Sequence, residues 1–196
     1  MSKETAVPAW IPGARFEDAL LYATRAHAHQ ARKGGTVPYL AHLFAVASLV
    51  MEDGGTEDET IAALLHDAAE DQGGEQRLRD IEERFGAEVA EIVRGCSEPL
   101  TIPKLPWTER KASYLRHLPG ATVSVLRVSL ADKLHNARSM ALDHGILGDA
   151  LWERFSAGRD EQATYYTDLC VAFRDRGSSS ALVSELEAVV ARLFAE

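Results

Sequence analysis

Apolar residues recur at spacings of three and four along almost the whole chain, and no run alternates as a half-buried strand would. Phe16, Ala19, Leu20, Ala23, Ala26 and His27 predict a helix from near Arg15 to Arg32–Lys33, before Gly34–Gly35 and Pro38. Leu43, Val46, Ala47 and Val50 mark a second, from about Pro38 to Asp53, stopped by Gly54–Gly55. Thr56-Glu57-Asp58-Glu59 has the form of a capping box, opening a helix whose stripe is Ile61, Leu64, Leu65 and Ala68 and which ends at Gln72-Gly73-Gly74. Two short amphipathic helices follow on either side of Gly86, carrying Leu78, Ile81 and Phe85, then Val89, Ile92, Val93 and Cys96.

Pro99, Pro103 and Pro106 make Ser97–Pro106 a loop, after which Trp107–Leu118 resumes helix up to Pro119–Gly120. The long stretch Ala121–Asp143 predicts a core helix packing Val123, Leu126, Leu130 and Leu134. Leu147–Phe155, Arg159–Arg174 and Ala181–Phe194 predict three more helices beyond Gly145. The fold class is therefore all-α. Residues 1–15, with Pro8 and Pro12, read as an N-terminal arm, and residues 16–196 as one helical domain.

Composition narrows the function classes. The chain has 196 residues, enough for a sizeable core, and no segment approaches the roughly 20 apolar residues of a membrane span. The N-terminus lacks a signal-peptide core, and the only two cysteines, Cys96 and Cys170, form no metal-type or redox-type pair. Both are expected reduced, in a soluble cytoplasmic protein. A net charge of −9 disfavours a polynucleotide or anionic-membrane partner. A small anionic substrate remains compatible, since Arg32–Lys33 and the stretch from Lys133 to Arg138 can reverse the field locally.

Certain polar residues sit where apolar packing is expected. His42 in PYLAH and Asp132 in SLADKLHN lie in largely apolar segments where an unpaired polar group is costly. His66 and Asp67 stand side by side within AALLHDAAED, followed by Glu70 and Asp71. A solvated helix face is the plain alternative for that acidic stretch. His42, His66, Asp67 and Asp132 together make a candidate ligand set of nitrogen and carboxylate donors, suited to Mn²⁺, Fe²⁺, Co²⁺ or Zn²⁺. A metal with open positions activates water for phosphate ester hydrolysis, and Glu70, with Asp71 assisting, is placed to hold that water or exchange its proton. His27 leans toward the packed side as a hydrogen-bonded core residue. Along the later helix Asp132, His135, Asn136 and Ser139 share one face, and His135 alone is explained by amphipathicity.

His42, the His66–Asp67 pair and Asp132 resemble the HD superfamily of metal-dependent phosphohydrolases. Ala26-His27, Gln30, Arg32-Lys33, Pro38-Tyr39, AALLHDAAED, FGAEVAEIV and LADKLHNAR look like the hydrolase domain of the RelA/SpoT alarmone enzymes, in order, over residues 16–142. That resemblance implies a helical bundle with a metal site in its core, His42, His66, Asp67 and Asp132 binding Mn²⁺. It implies Glu70 and Asp71 as the catalytic acidic pair, and Arg32, Lys33, Asn136 and Ser139 as substrate-binding residues. Ser139 stands where threonine is more usual, Leu43 where proline is, and Gly95-Cys96-Ser97-Glu98 replaces a more typical Gly-Val-Thr-Lys. The implied reaction removes the 3′-pyrophosphate of guanosine tetra- or pentaphosphate, as a small stand-alone hydrolase. The alternatives are an HD-type phosphatase of another nucleotide (an adenosine alarmone, the 2′-phosphate of NADPH or a deoxynucleotide) and a non-catalytic nucleotide-binding module.

Overall fold

In the computed structural model, which describes residue 8, residues 10–101 and residues 103–195, the chain is helical, with no strand among these residues beyond one isolated bridge between Ala31 and Pro38. The helices are α1 (Ala14–Ala26), α2 (Leu40–Glu52), α3 (Glu57–Leu65), α4 (Ala68–Gln72), α5 (Gly74–Phe85), α6 (Ala87–Cys96), α7 (Trp107–His117), α8 (Val123–Leu147), α9 (Arg159–Asp175) and α10 (Ser180–Leu193). Single 3₁₀ segments, Leu118–Gly120 and Gly148–Arg154, precede and follow α8. The first seven residues of the expected arm, and Ala9, lie outside the described residues. Trp10 is fixed, its indole N–H donating to the Gly55 carbonyl at 3.0 Å and its ring meeting Phe16 edge-on.

Two buried helices form the centre. Every residue of α3 from Glu59 to Leu65 is buried, so this helix is surrounded on all sides rather than presenting one solvated face. α8, roughly 37 Å long at 1.5 Å per residue, packs against α2, α3, α6 and α10. Its contact with α6 depends on Gly95, since a Cβ there would lie 2.5 Å from Val125 Cγ2. The capping box at Thr56 forms as the sequence indicates: the Thr56 hydroxyl accepts from the Glu59 N–H at 3.2 Å, and Glu59 Oε2 accepts from the Thr56 N–H at 2.8 Å. α5 and α6 are separated by Gly86, whose φ of +92° lies in the region that favours glycine.

Four sequence expectations are corrected. α1 ends at Ala26, not at Arg32–Lys33, because the chain doubles back. The Arg32 N–H donates to the Val37 carbonyl at 2.8 Å and the Tyr39 N–H to the Gln30 carbonyl at 2.9 Å, so these tertiary bonds replace further helical turns. The helix through AALLHDAAED is broken at His66–Asp67 into α3 and α4. α8 runs through Gly145 to Leu147, and a 3₁₀ segment stands where a helix over Leu147–Phe155 was expected. Val123 is 70% exposed because it is the first residue of α8, ahead of the turn that enters the core. Cys96 and Cys170 are buried and unpaired, and no described helix is long and apolar enough to cross a membrane.

One partly buried ionic knot ties the central helices. Arg127 of α8 donates to Asp53 at 2.9 Å and to both Glu59 oxygens at 2.7 Å, joining the end of α2 to the start of α3. Removing the cation leaves Glu59, 3% exposed, without its charge partner. Arg127→Leu is expected to lower the unfolding free energy by about 3 kcal/mol, measured by urea denaturation. A loss within experimental error would show that the capping box alone holds Glu59.

Candidate metal centre and substrate cavity

The break between α3 and α4 brings two neighbouring side chains to one point. In an uninterrupted helix, residues 66 and 67 would diverge by about 100°. At the break, His66 Nε2 and Asp67 Oδ2 are 3.0 Å apart. The His66 Nδ1 is 2.8 Å from the Ala63 carbonyl, one turn back, which requires Nδ1 to carry a hydrogen and turns Nε2 toward Asp67. From α2, His42 Nε2 arrives 3.3 Å from His66 Nε2 and 3.4 Å from Asp67 Oδ2. The donor atoms of His42, His66 and Asp67 all lie within 4.8 Å of one another. Asp132, from α8, places Oδ1 3.2 Å from His42 Nε2 and 3.7 Å from His66 Nε2.

The electrostatics fit a cation. Two carboxylates and two imidazoles are gathered where His42 is fully buried and His66 and Asp132 are nearly so. Burial by itself would raise both carboxyl pKa values, but the facing imidazoles, with Lys133 beside Asp132, outweigh it and hold Asp67 and Asp132 well below the usual range. Burial would likewise lower His66, yet Asp67 and Asp132 hold it well above. A proton shared into this cluster answers the same excess of negative charge that a divalent ion would. Nitrogen and carboxylate donors without thiolate suit a borderline or hard divalent metal.

Around the four groups lies a shell of hydrogen bonds that orients them. The Tyr39 hydroxyl donates to Asp67 Oδ2 at 2.6 Å; burial and that carboxylate raise its pKa far enough to keep it a donor. Lys133 Nζ donates to Asp132 Oδ2 at 2.7 Å, and Asn136 Nδ2 to Asp132 Oδ1 at 2.5 Å. The Arg32 guanidinium in turn donates to Asn136 Oδ1 at 2.7 Å. His135 Nδ1 is 2.7 Å from His42 Nδ1. Burial, with the nearby His42 and Arg32, brings the His135 pKa down to about 4, so it is neutral and can accept a hydrogen bond from His42 Nδ1.

Glu70 and Asp71 sit on α4, one turn past the break. Glu70 Oε2 accepts from the Glu98 N–H and Oε1 from Lys104 Nζ, both at 3.3 Å, which ties it to the Ser97–Pro106 loop. Burial and the charges of Glu98 and Asp67 raise its pKa. Asp71, raised by burial and by Asp67, accepts from Gln30 Nε2 at 2.7 Å. His27, buried as expected, lies 2.7 Å through Nδ1 from Gln30 Oε1, and burial lowers its pKa.

A cavity of about 690 Å³ opens beside this cluster and includes His42 in its wall. Arg32, Lys33, Asn136 and Ser139 all line it, but Glu70 and Asp71 do not. Its cations are Arg32, Lys33, Lys111, Lys133 and Arg154, against a single acid, Asp143. Arg32 also stacks over Tyr39, its guanidinium carbon 5.6 Å from the ring centre, and Lys33 Nζ is 5.3 Å from the centre of Phe155.

Several residues of this site were not singled out by sequence. Lys133 was expected as a local cation and Tyr39 stood within a recognised motif, but nothing in their spacing shows the bonds they make. His135 carried a signal, its place one residue before Asn136 on the same helix as Asp132. Lys111, Arg154, Gln162 and Tyr165 come from α7, the 3₁₀ segment and α9, whose registers on the cavity are set only by packing.

An HD domain model matches residues 19–148, more than half of the chain. The human guanosine-3′,5′-bis(diphosphate) 3′-pyrophosphohydrolase MESH1 is 37% identical over 131 residues, covering 65% of this chain and 70% of that protein. The bifunctional (p)ppGpp synthase/hydrolase SpoT of Escherichia coli K12 is also 37% identical, over 132 residues that make up 64% of this chain and 18% of SpoT. A solved structure described as a metazoan ortholog of SpoT that hydrolyses ppGpp superposes with a TM-score of 0.76 at 26% identity, covering 92% of this chain and 96% of that one. The matched segment contains His42, the His66–Asp67 break and Asp132, and with that agreement between sequence and fold the chain belongs to the HD-domain family.

Proposed function

We propose that this protein removes the 3′-pyrophosphate of guanosine tetra- or pentaphosphate, giving GDP or GTP and pyrophosphate, with Mn²⁺ as the preferred metal. His42, His66, Asp67 and Asp132 would hold the ion. The observation that carries the reading is the cationic cavity beside the histidine–aspartate cluster, in a chain whose net charge is −9. Such local reversal of field is what a small, highly charged anion requires. The names of the human and bacterial relatives state the same activity for those proteins.

When bound, a divalent ion there polarises a phosphoryl oxygen and lowers the pKa of water toward neutrality. The remaining work belongs to side chains. Arg32, oriented by Tyr39 and Asn136, presents a planar donor fork to the nucleotide. Lys33 and Ser139 extend the contact along the cavity. Glu70 accepts the proton of the attacking water, a role suited to a carboxylate whose pKa is raised toward the working pH, with Asp71 assisting. The ring of bonds from Tyr39, His135, Lys133 and Asn136 keeps the cluster in one geometry through the reaction.

A panel of 3′-pyrophosphorylated guanosine and adenosine nucleotides, NADPH and deoxynucleoside monophosphates, resolved by product chromatography, tests the substrate. Pyrophosphate release from the guanosine compounds in preference to the rest is expected. Chelation should abolish it and Mn²⁺ should restore it best among divalent ions. Orthophosphate release from NADPH or a monophosphate, with the 3′-pyrophosphates intact, would overturn the assignment.

The role of Glu70 has its own signature in pH. A group that must be ionised, with a pKa raised above its ordinary value near 4.5, makes kcat/KM fall as pH drops through that raised value. Lys104 lowers the Glu70 pKa, so Lys104→Met should move the acid limb to higher pH. Glu70→Gln should retain metal and lose about 10²-fold or more in kcat. An acid limb that stays in place in Lys104→Met, with near-normal turnover in Glu70→Gln, would remove Glu70 from the mechanism.

A further inference from the structure

The cavity is larger than the part built by the matched family segment. One of its walls comes from α9, beyond residue 148, where Gln162 and Tyr165 line it, each 5% exposed. The Tyr165 hydroxyl has no hydrogen-bond partner among the described residues. A buried hydroxyl left unpaired in a purely structural contact is unfavourable, and a group waiting for a ligand explains it.

Two ammonium groups flank this wall. Lys111 Nζ lies 4.9 Å from the centre of the Tyr165 ring, and Lys133 lines the same cavity. Each has one carboxylate partner, Glu98 Oε1 at 2.6 Å for Lys111 and Asp132 Oδ2 at 2.7 Å for Lys133. An ammonium has three N–H donors, so each keeps capacity for an anion. Burial and the neighbouring Lys133 charge also hold Lys111 below its usual range, a strain that an anion between the two would relieve. Asp132 sets the location: one of its oxygens faces His42 and the other holds Lys133. Lys133 therefore stands one carboxylate away from the histidine cluster.

We infer that Lys111, Lys133, Gln162 and Tyr165 form an anion subsite that holds the distal phosphate of a pyrophosphoryl group whose proximal phosphate lies at the His42–His66–Asp67–Asp132 cluster. This rests on the reading of the protein as a 3′-pyrophosphohydrolase and deepens it. The lysines neutralise the distal phosphate, while the Tyr165 hydroxyl and the Gln162 amide donate to its oxygens. A 3′-monophosphate cannot reach these groups and the cluster together, so the subsite selects pyrophosphate esters over monophosphate esters. It also retains inorganic pyrophosphate as a product.

The test titrates the metal-loaded protein with inorganic pyrophosphate and, separately, with orthophosphate, by calorimetry, with metal content measured afterwards. Wild type should bind pyrophosphate at least tenfold more tightly than orthophosphate. Tyr165→Phe, which removes one oxygen and keeps the packing, should weaken pyrophosphate about tenfold and leave orthophosphate unchanged. Lys111→Met and Gln162→Leu should act in the same direction, with thermal unfolding confirming that each variant is folded. A merely structural role for Tyr165 would shift unfolding without changing the ratio of the two affinities. Equal affinities for the two anions in wild type, or a ratio unmoved by Tyr165→Phe, would overturn the subsite. Calorimetry does not depend on turnover. If guanosine 3′-pyrophosphates are cleaved but the ratio does not respond, the subsite fails and the proposed function stands. If they are left intact while the ratio responds, the proposed function fails and the anion subsite stands.

Discussion

Two carboxylates, Asp67 and Asp132, are brought into the interior against a pair of buried imidazoles, and the surrounding structure exists largely to make that tolerable. Concentrated negative charge away from water is costly unless cations and donors answer it. His66, drawn toward its protonated form, supplies part of the answer, and Lys133, Tyr39 and Asn136 supply the rest through direct hydrogen bonds. A site so arranged is an electrostatic well for a cation, which is the physical content of its likeness to metal-dependent HD proteins.

Local backbone and distant packing both contribute to that arrangement. The break between α3 and α4 lets adjacent residues converge, something that an uninterrupted helix forbids. α3 itself is started by the Thr56–Glu59 capping box, and Glu59 is held again by Arg127 of α8. The same α8 carries Asp132, Lys133, His135, Asn136 and Ser139, so the helix that anchors the bundle also delivers much of the site. Gly95 sets how closely α6 approaches that helix.

Charge is distributed on two scales. The chain as a whole is acidic, which keeps it from binding polyanions indiscriminately, while the cavity beside the cluster is lined by five cationic side chains and one acid. Asp132 joins the two regions, since it faces the histidines on one side and a cavity lysine on the other. Glu98 plays a comparable part at the loop: its carboxylate holds Arg110 and Lys111 while its backbone N–H reaches Glu70. The loop and the two sides of the site are thus coupled through one buried glutamate.

The sequence by itself determined the helical class, most helix positions and the residues of the cluster. Apolar spacing of three and four survives in any helical bundle, and glycines, prolines and the capping box act within a few residues of themselves. His42, His66, Asp67 and Asp132 stood out because polar groups in apolar segments are costly unless used. Tertiary structure decided what depends on distant partners. Helical spacing ran on past Ala26, but the bonds of Gln30 and Arg32 to the 37–39 segment ended α1 early. AALLHDAAED reads as one helix, and its break appears only where α2 and α8 pack histidine and aspartate against it. His135 looked like ordinary amphipathicity until α2 placed His42 against it. The α7 and α9 wall of the cavity was invisible in the sequence, because which face of a helix meets a cavity is fixed by the helices packed around it and not by its own spacing.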